Sequence, residues 1–186
     1  MNTSNIKKYA PQARNDFIAA MRKQAAKYGI TADSILPAEQ KGDLLLIGDQ
    51  VFPLSVMKSR EKLIKRIQTS SFEQTIDYIA YSWFNRLCAI RYMECKGLLD
   101  HGRRVLSSAD GSAGLPQILE ECLDIDLPGL DASRVAELKL DGNKDEELYR
   151  ELLLAQCHAL NQVMPLLFEQ VSDESELLLP DNLTKT

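Results

Sequence analysis

FEQTIDYIAYSWFNRLCAIRYMECKG, residues 72–97, decides the fold. At about 100° per residue, Phe72, Ile76, Ile79, Trp83, Leu87 and Ile90 fall on one apolar stripe, the pattern of an amphipathic helix. Ser70 followed three residues later by Glu73 fits a capping box, so the pattern predicts a helix starting near Phe72 and ending at Gly97. Glu94 lies within the stripe, and Arg86 and Arg91 flank it. The opposite arc holds Tyr78, Tyr81, Ser82, Asn85, Ala89 and Tyr92 without a charge. A helix with no charged face is expected to be central, with neighbours on most sides. A carboxylate in an apolar stripe is costly unless paired, and Arg91 stands three residues away, so an internal Arg91–Glu94 ion pair is expected. Arg86 needs a partner from another helix. Trp83, Asn85, Arg86, Arg91 and Glu94 therefore read as a structural motif.

Working back towards the N-terminus, LSVMKSREKLIKRIQTS places Met57, Leu63, Ile64 and Ile67 on one side of a helix. Lys58, Lys62, Lys65 and Arg66 lie largely around the other. A charge run of this kind is commonly a solvated face, but basic residues on one exposed face also suit a DNA backbone, giving affinity without sequence readout. Composition does not choose between these readings. Before this helix, Leu44 to Ile47 and Val51 to Phe52 flank Gly48-Asp49, and Pro53 stops further pairing, which predicts one small β-hairpin near residues 43–53. Earlier still, Pro11 suits the first position of a helix carrying Phe17, Met21, Gln24 and Tyr28 at helical spacing until Gly29. The fold class is mainly α.

Towards the C-terminus, SSADGSAGLP is a Gly/Ser-rich loop, LPQILEECL a short helix and IDLPGLDAS a connector. NKDEELYRELLLAQCHALNQVM then reads as a long helix with Asn143 as cap, its first-turn acids suiting the helix dipole. DGSAG, residues 110–114, resembles a nucleotide-binding turn only superficially, because such turns follow a buried strand.

The 186 residues, 45% of them hydrophobic, allow one well-buried core or one domain with an attached extension. The expected division is residues 1–106, a helical domain with hairpin and central helix, and residues 107–186, an acidic helical extension. Charge is uneven along the chain: residues 1–70 hold 12 Lys/Arg against 6 Asp/Glu, whereas residues 71–186 hold 10 against 21. The basic third leaves room for phosphate contact on one face. No run approaches the roughly 18 apolar residues of a membrane span, and MNTSNIKKYAPQ lacks the apolar core of a signal peptide, so a cytoplasmic protein is expected. Cys88, Cys95, Cys122 and Cys157 form no C-x-x-C pair and are joined only by His101 and His158. Neither a disulfide framework nor a metal site is expected, and the thiols read as small hydrophobes. With no phosphate loop, nucleophile elbow or two-histidine helix, the residues supply no catalytic group and no cofactor site.

FEQTIDYIAYSWFNRLCAIRYMECKGLLDHGRRVLS, with the start MNTSNIKKYAPQARNDFIAA and the end ELLLPDNL, resembles the N-terminal region of the adenine-specific DNA methyltransferases of the bacterial phage-defence systems called BREX, the PglX family. The YSWFNRL-x-AIRYME core is also similar to a segment of large type II restriction-modification enzymes. The resemblance implies a parent that methylates adenine at N6 in DNA using S-adenosylmethionine, with DNA and other BREX components as partners. The family's cofactor pocket and Asn-Pro-Pro-Tyr motif lie beyond the matched region, and neither occurs in this sequence, so no catalytic or cofactor-binding residue is carried over. It further implies a fragment leading towards a methyltransferase domain, with Lys58, Lys62, Lys65 and Arg66 as candidate phosphate contacts. A stand-alone helical protein-interaction module, docking through the acidic second half and the ELLLPDNL segment, is the alternative.

Overall fold

The computed structural model describes residues 4–168 and 173–185. It is mainly helical, as the periodicity indicates, and divides into two compact units: Met1–Phe84 with Ser172–Pro180, and Asn85–Val171 with Asp181–Thr186.

The first unit begins with α1, Ser4–Lys27. Pro11 lies inside this helix instead of opening it, which corrects the expected start: the helix forgoes one backbone bond at the proline and continues. Gly29 ends it at φ +71°, where a Cβ would stand 2.6 Å from Ile47 Cγ2, so conformation and space both require glycine. Three strands follow, β1 (Ala38–Lys41), β2 (Leu44–Ile47) and β3 (Gln50–Pro53), paired antiparallel in chain order. Gly48-Asp49 makes the expected tight turn, with Gly48 at φ +57° and no positive φ at Asp49, as a type II′ hairpin requires. Pro53 pairs with Leu44 at the end of the ladder. The hairpin is thus extended by β1, whose residues AEQK are all exposed and so carry no apolar alternation from which a strand could be read. Leu45, Ile47 and Phe52 are buried on one face, with the Phe52 and Tyr28 ring centroids 4.9 Å apart.

Helix α2, Val56–Thr69, buries Leu63 and Arg60 and packs against the short α7, Asp173–Leu177. Helix α3 spans Phe72–Lys96, the limits expected from sequence. Its start is capped differently from the expectation: the Gln74 amide donates to Ser71 Oγ at 3.2 Å, while Ser70 caps the end of α2. The operative pattern is Ser71-x-x-Gln74, one residue along from Ser70-x-x-Glu73. At its other end Gly97 takes φ +64°, and Leu98 N donates to Met93 O at 2.9 Å, closing a Schellman motif. Phe72, Ile76, Ile79 and Trp83 are buried along the stripe, with Met21, Ala25, Leu63, Leu178 and Leu179 completing this unit's core.

In the second unit, α4 (Gln117–Glu120) and a 3₁₀ turn (Cys122–Asp124) occupy the expected short helix. The connector read as IDLPGLDAS ends in a cap: Asp131 accepts from Ser133 N and Arg134 N and starts α5, Ala132–Asp141. Only Val135 and Leu138 of α5 are buried, too few positions to announce a helix in the sequence. Helix α6, Asp145–Val163, is preceded by Lys144 as N-cap instead of Asn143, with Asp145, Glu146 and Glu147 in its first turn. Leu148, Leu152, Leu153, Cys157 and Leu160 are buried along it. Cys122 and Cys157 are core thiols, but Cys88 and Cys95 are exposed, which restricts the small-hydrophobe reading to the first pair.

Candidate nucleic-acid interface

Lys58, Lys62 and Lys65 are all exposed on α2, at spacings of four and three residues that bring them onto one arc of the helix. Arg66 continues that arc but is only partly exposed. Its guanidinium lies over the Tyr78 ring of α3, 4.3 Å from the centroid, and Nη1 stands 3.4 Å from Glu174 Oε1. The structure thus separates the four candidates into three lysines on a wet face and one arginine braced by an aromatic ring and a carboxylate.

The same helix holds a basic residue of another kind. Arg60 is 5% exposed, and its guanidinium donates to Tyr28 O at 2.8 Å through Nε and to Leu36 O through Nη2. It fastens the segment following α1 to α2. Burial lowers its proton affinity below the ordinary arginine value, with Glu61 opposing the shift. The signal was present in the sequence, since Arg60 falls about 200° from Lys58 at 100° per residue, beside Leu63 and Ile67. The basic run therefore contains one structural arginine that the charge count alone conceals.

In the first unit, Trp83 is fully buried and its indole Nε1 donates to Ser175 O at 3.0 Å. In the second, Asn85 is half-buried and Arg86 is 4% exposed, which removes Arg86 from any surface contact. Arg91 and Glu94 form an ion pair; Glu94's carboxylate is wholly buried whereas Arg91 is 45% exposed. The carboxylate also accepts from Val105 N and Leu106 N, each at 2.8 Å, and from Ser107 Oγ at 2.9 Å. Tyr149 completes the clasp, donating from its hydroxyl to Val105 O at 2.9 Å, and burial pushes that hydroxyl well above the usual tyrosine range, so it stays a donor. Glu94 in the apolar stripe is thus the anchor of residues 105–107. The far arc of α3 differs from the expectation of a helix covered on most sides, because Tyr78, Tyr81 and Tyr92 are 45%, 62% and 61% exposed.

The loop containing DGSAG closes on itself: Asp110 accepts from Ser108 Oγ and Ser112 N, and these hydrogen bonds hold its carboxyl down to about 2. Among the described residues, no cluster of three or more His, Cys, Asp or Glu is placed to hold a metal ion, and no helix is long and apolar enough to cross a membrane.

No protein-family model matches the chain. Individual relatives do match. The whole chain is 52% identical, over 193 aligned residues, to the adenine-specific methyltransferase BrxX of Escherichia coli O9:H4 (strain HS), and 96% of it is 30% identical to the adenine-specific methyltransferase PglX of Lacticaseibacillus casei (strain Zhang). The chain is similar to both of these adenine-specific methyltransferases. It corresponds to an N-terminal region of these methyltransferases and spans 16% of the length of each relative. Within this region, the candidate interface is the basic face of α2.

Proposed function

We propose that this chain is the DNA-engaging N-terminal region of an adenine-specific DNA methyltransferase, gripping the phosphate backbone through Lys58, Lys62 and Lys65. The observation that carries the reading is the exposure of these three lysines on one arc of α2, while Arg60 of the same helix is turned inward to structural work. Lysines so placed neutralise phosphates, release counterions and position a duplex without reading its bases. Recognition and flipping of the adenine, and methyl transfer to its N6 from S-adenosylmethionine, fall to other parts of the whole protein.

Fluorescence anisotropy of this chain with duplex DNA, titrated over salt, tests the reading. Changing Lys58, Lys62 and Lys65 together to Ala is expected to weaken binding at least tenfold and flatten the log–log salt slope by about 2 to 3, near 0.9 for each phosphate no longer neutralised. Salt-independent binding, or none, would overturn it.

A protein-docking role is the second reading, supported by exposed Tyr78, Tyr81 and Tyr92 on one arc of α3. Tyrosine supplies a large apolar surface with little entropy to lose. Replacing Tyr81 and Tyr92 by Ser should abolish nuclease-resistant association with the remainder of the parent protein if this reading holds, and leave it intact if it does not.

A further inference from the structure

The basic arc of α2 runs into a cleft at the junction of α2 and α3, lined by Arg66, Thr69, Ser70, Gln74, Thr75 and Tyr78, with a volume of about 330 Å³. We infer that this cleft seats one phosphodiester group of the DNA at the end of the lysine arc. The inference rests on the DNA-engaging reading of α2 and gives it a specific subsite.

None of the six lining residues is acidic, and the one cation among them is held in place before any ligand arrives. The Tyr78 ring covers a face of the Arg66 guanidinium, and Glu174 touches Nη1 from the side at 3.4 Å. A guanidinium carries five in-plane donors, so a single contact of this length leaves the fork able to meet two phosphate oxygens. The hydroxyls of Thr69 and Ser70 donate to the carbonyls of Lys65 and Arg66, which directs their protons to the backbone. Gln74 is exposed and brings an uncharged amide whose NH₂ suits a phosphate oxygen. The chemistry facing an anion is therefore Arg66 and Gln74, with Lys62 and Lys65 on the approach.

Gln74→Glu puts a carboxylate into the cleft at almost constant size, and Gln50→Glu makes the same change of charge at an exposed position of β3, outside α2 and the cleft. With fluorescein-labelled duplex DNA, Gln74→Glu should weaken binding by about tenfold and Gln50→Glu by less than about twofold, because only the first faces the bound phosphate at short range. Arg66→Ala should lower the salt slope by about 1. Thermal melts of the two glutamate variants should match wild type, since both positions are exposed. Equal losses from the two glutamates would show only long-range charge and overturn the cleft. An unaffected Gln74→Glu protein, in the presence of the lysine effect, would overturn the cleft while leaving the lysine face standing; no salt-dependent DNA binding by wild type would overturn both.

Discussion

Arg60 in the first unit and Glu94 in the second are opposite charges placed in apolar stripes, and both are satisfied chiefly by backbone. Arg60 donates to the carbonyls of Tyr28 and Leu36; Glu94 accepts from the amides of Val105 and Leu106. Each fastens a segment without regular structure to a long helix. The difference is that Glu94 also has a charged partner, Arg91, together with a hydroxyl from Ser107. A half-exposed ion pair contributes little, whereas stranded buried amides cost a full desolvation penalty. A buried charge can thus tie down a loop, and a neighbouring opposite charge in the sequence need not be its principal partner.

The severest test is Glu94→Ala, which strands two amides and a hydroxyl at once. It should destabilise the chain by about 3 to 5 kcal/mol in chemical denaturation. A loss below about 1 kcal/mol would mean that the amides and Ser107 add little to the pair with Arg91.

Arg60→Ala comes next, at about 2 to 3 kcal/mol for one buried and one part-buried carbonyl losing a charged donor. Arg60→Lys sharpens the reading: an ammonium cannot reproduce the fork, so it should recover less than half of that loss. Full recovery in the same denaturation experiment would mean that charge, and not the geometry of the two donors, holds the segment following α1.

Arg91→Ala should have the smallest effect, about 0.5 to 1 kcal/mol, since Arg91 is 45% exposed and Glu94 keeps its three other donors. The hydrogen bond to Glu94 raises Arg91's proton affinity, but at this exposure solvent screens most of the gain. A loss matching that of Glu94→Ala would reverse the order and make the ion pair the dominant interaction.

Much of the architecture was legible in residue order, where local rules act alone. The limits of α3 followed from its apolar stripe and from Gly97, and the turn between β2 and β3 from Gly48-Asp49, because helical periodicity and positive φ are properties of a few adjacent residues. Four of the five cations of α2, Lys58, Lys62, Lys65 and Arg66, could likewise be placed on one side by spacing. What spacing did not show was that Arg66 lies over Tyr78, or which backbone carbonyls Arg60, six residues before it, meets on the apolar side.

Strand β1 exists because β2 offers it a backbone edge, with no apolar pattern of its own, and α5 because Asp131 caps it and the burial of Val135 and Leu138 suffices once α6 is alongside. Sequence by itself determined which side of each helix every charge occupies, since that depends only on 3.6 residues per turn. Which remote carbonyl or amide arrives at that side was decided by tertiary structure: Val105 and Leu106 reach Glu94, and Tyr28 and Leu36 reach Arg60, only after the chain has turned back on itself, and hydrogen bonds of about 3 Å depend on that return path, of which periodicity carries no record.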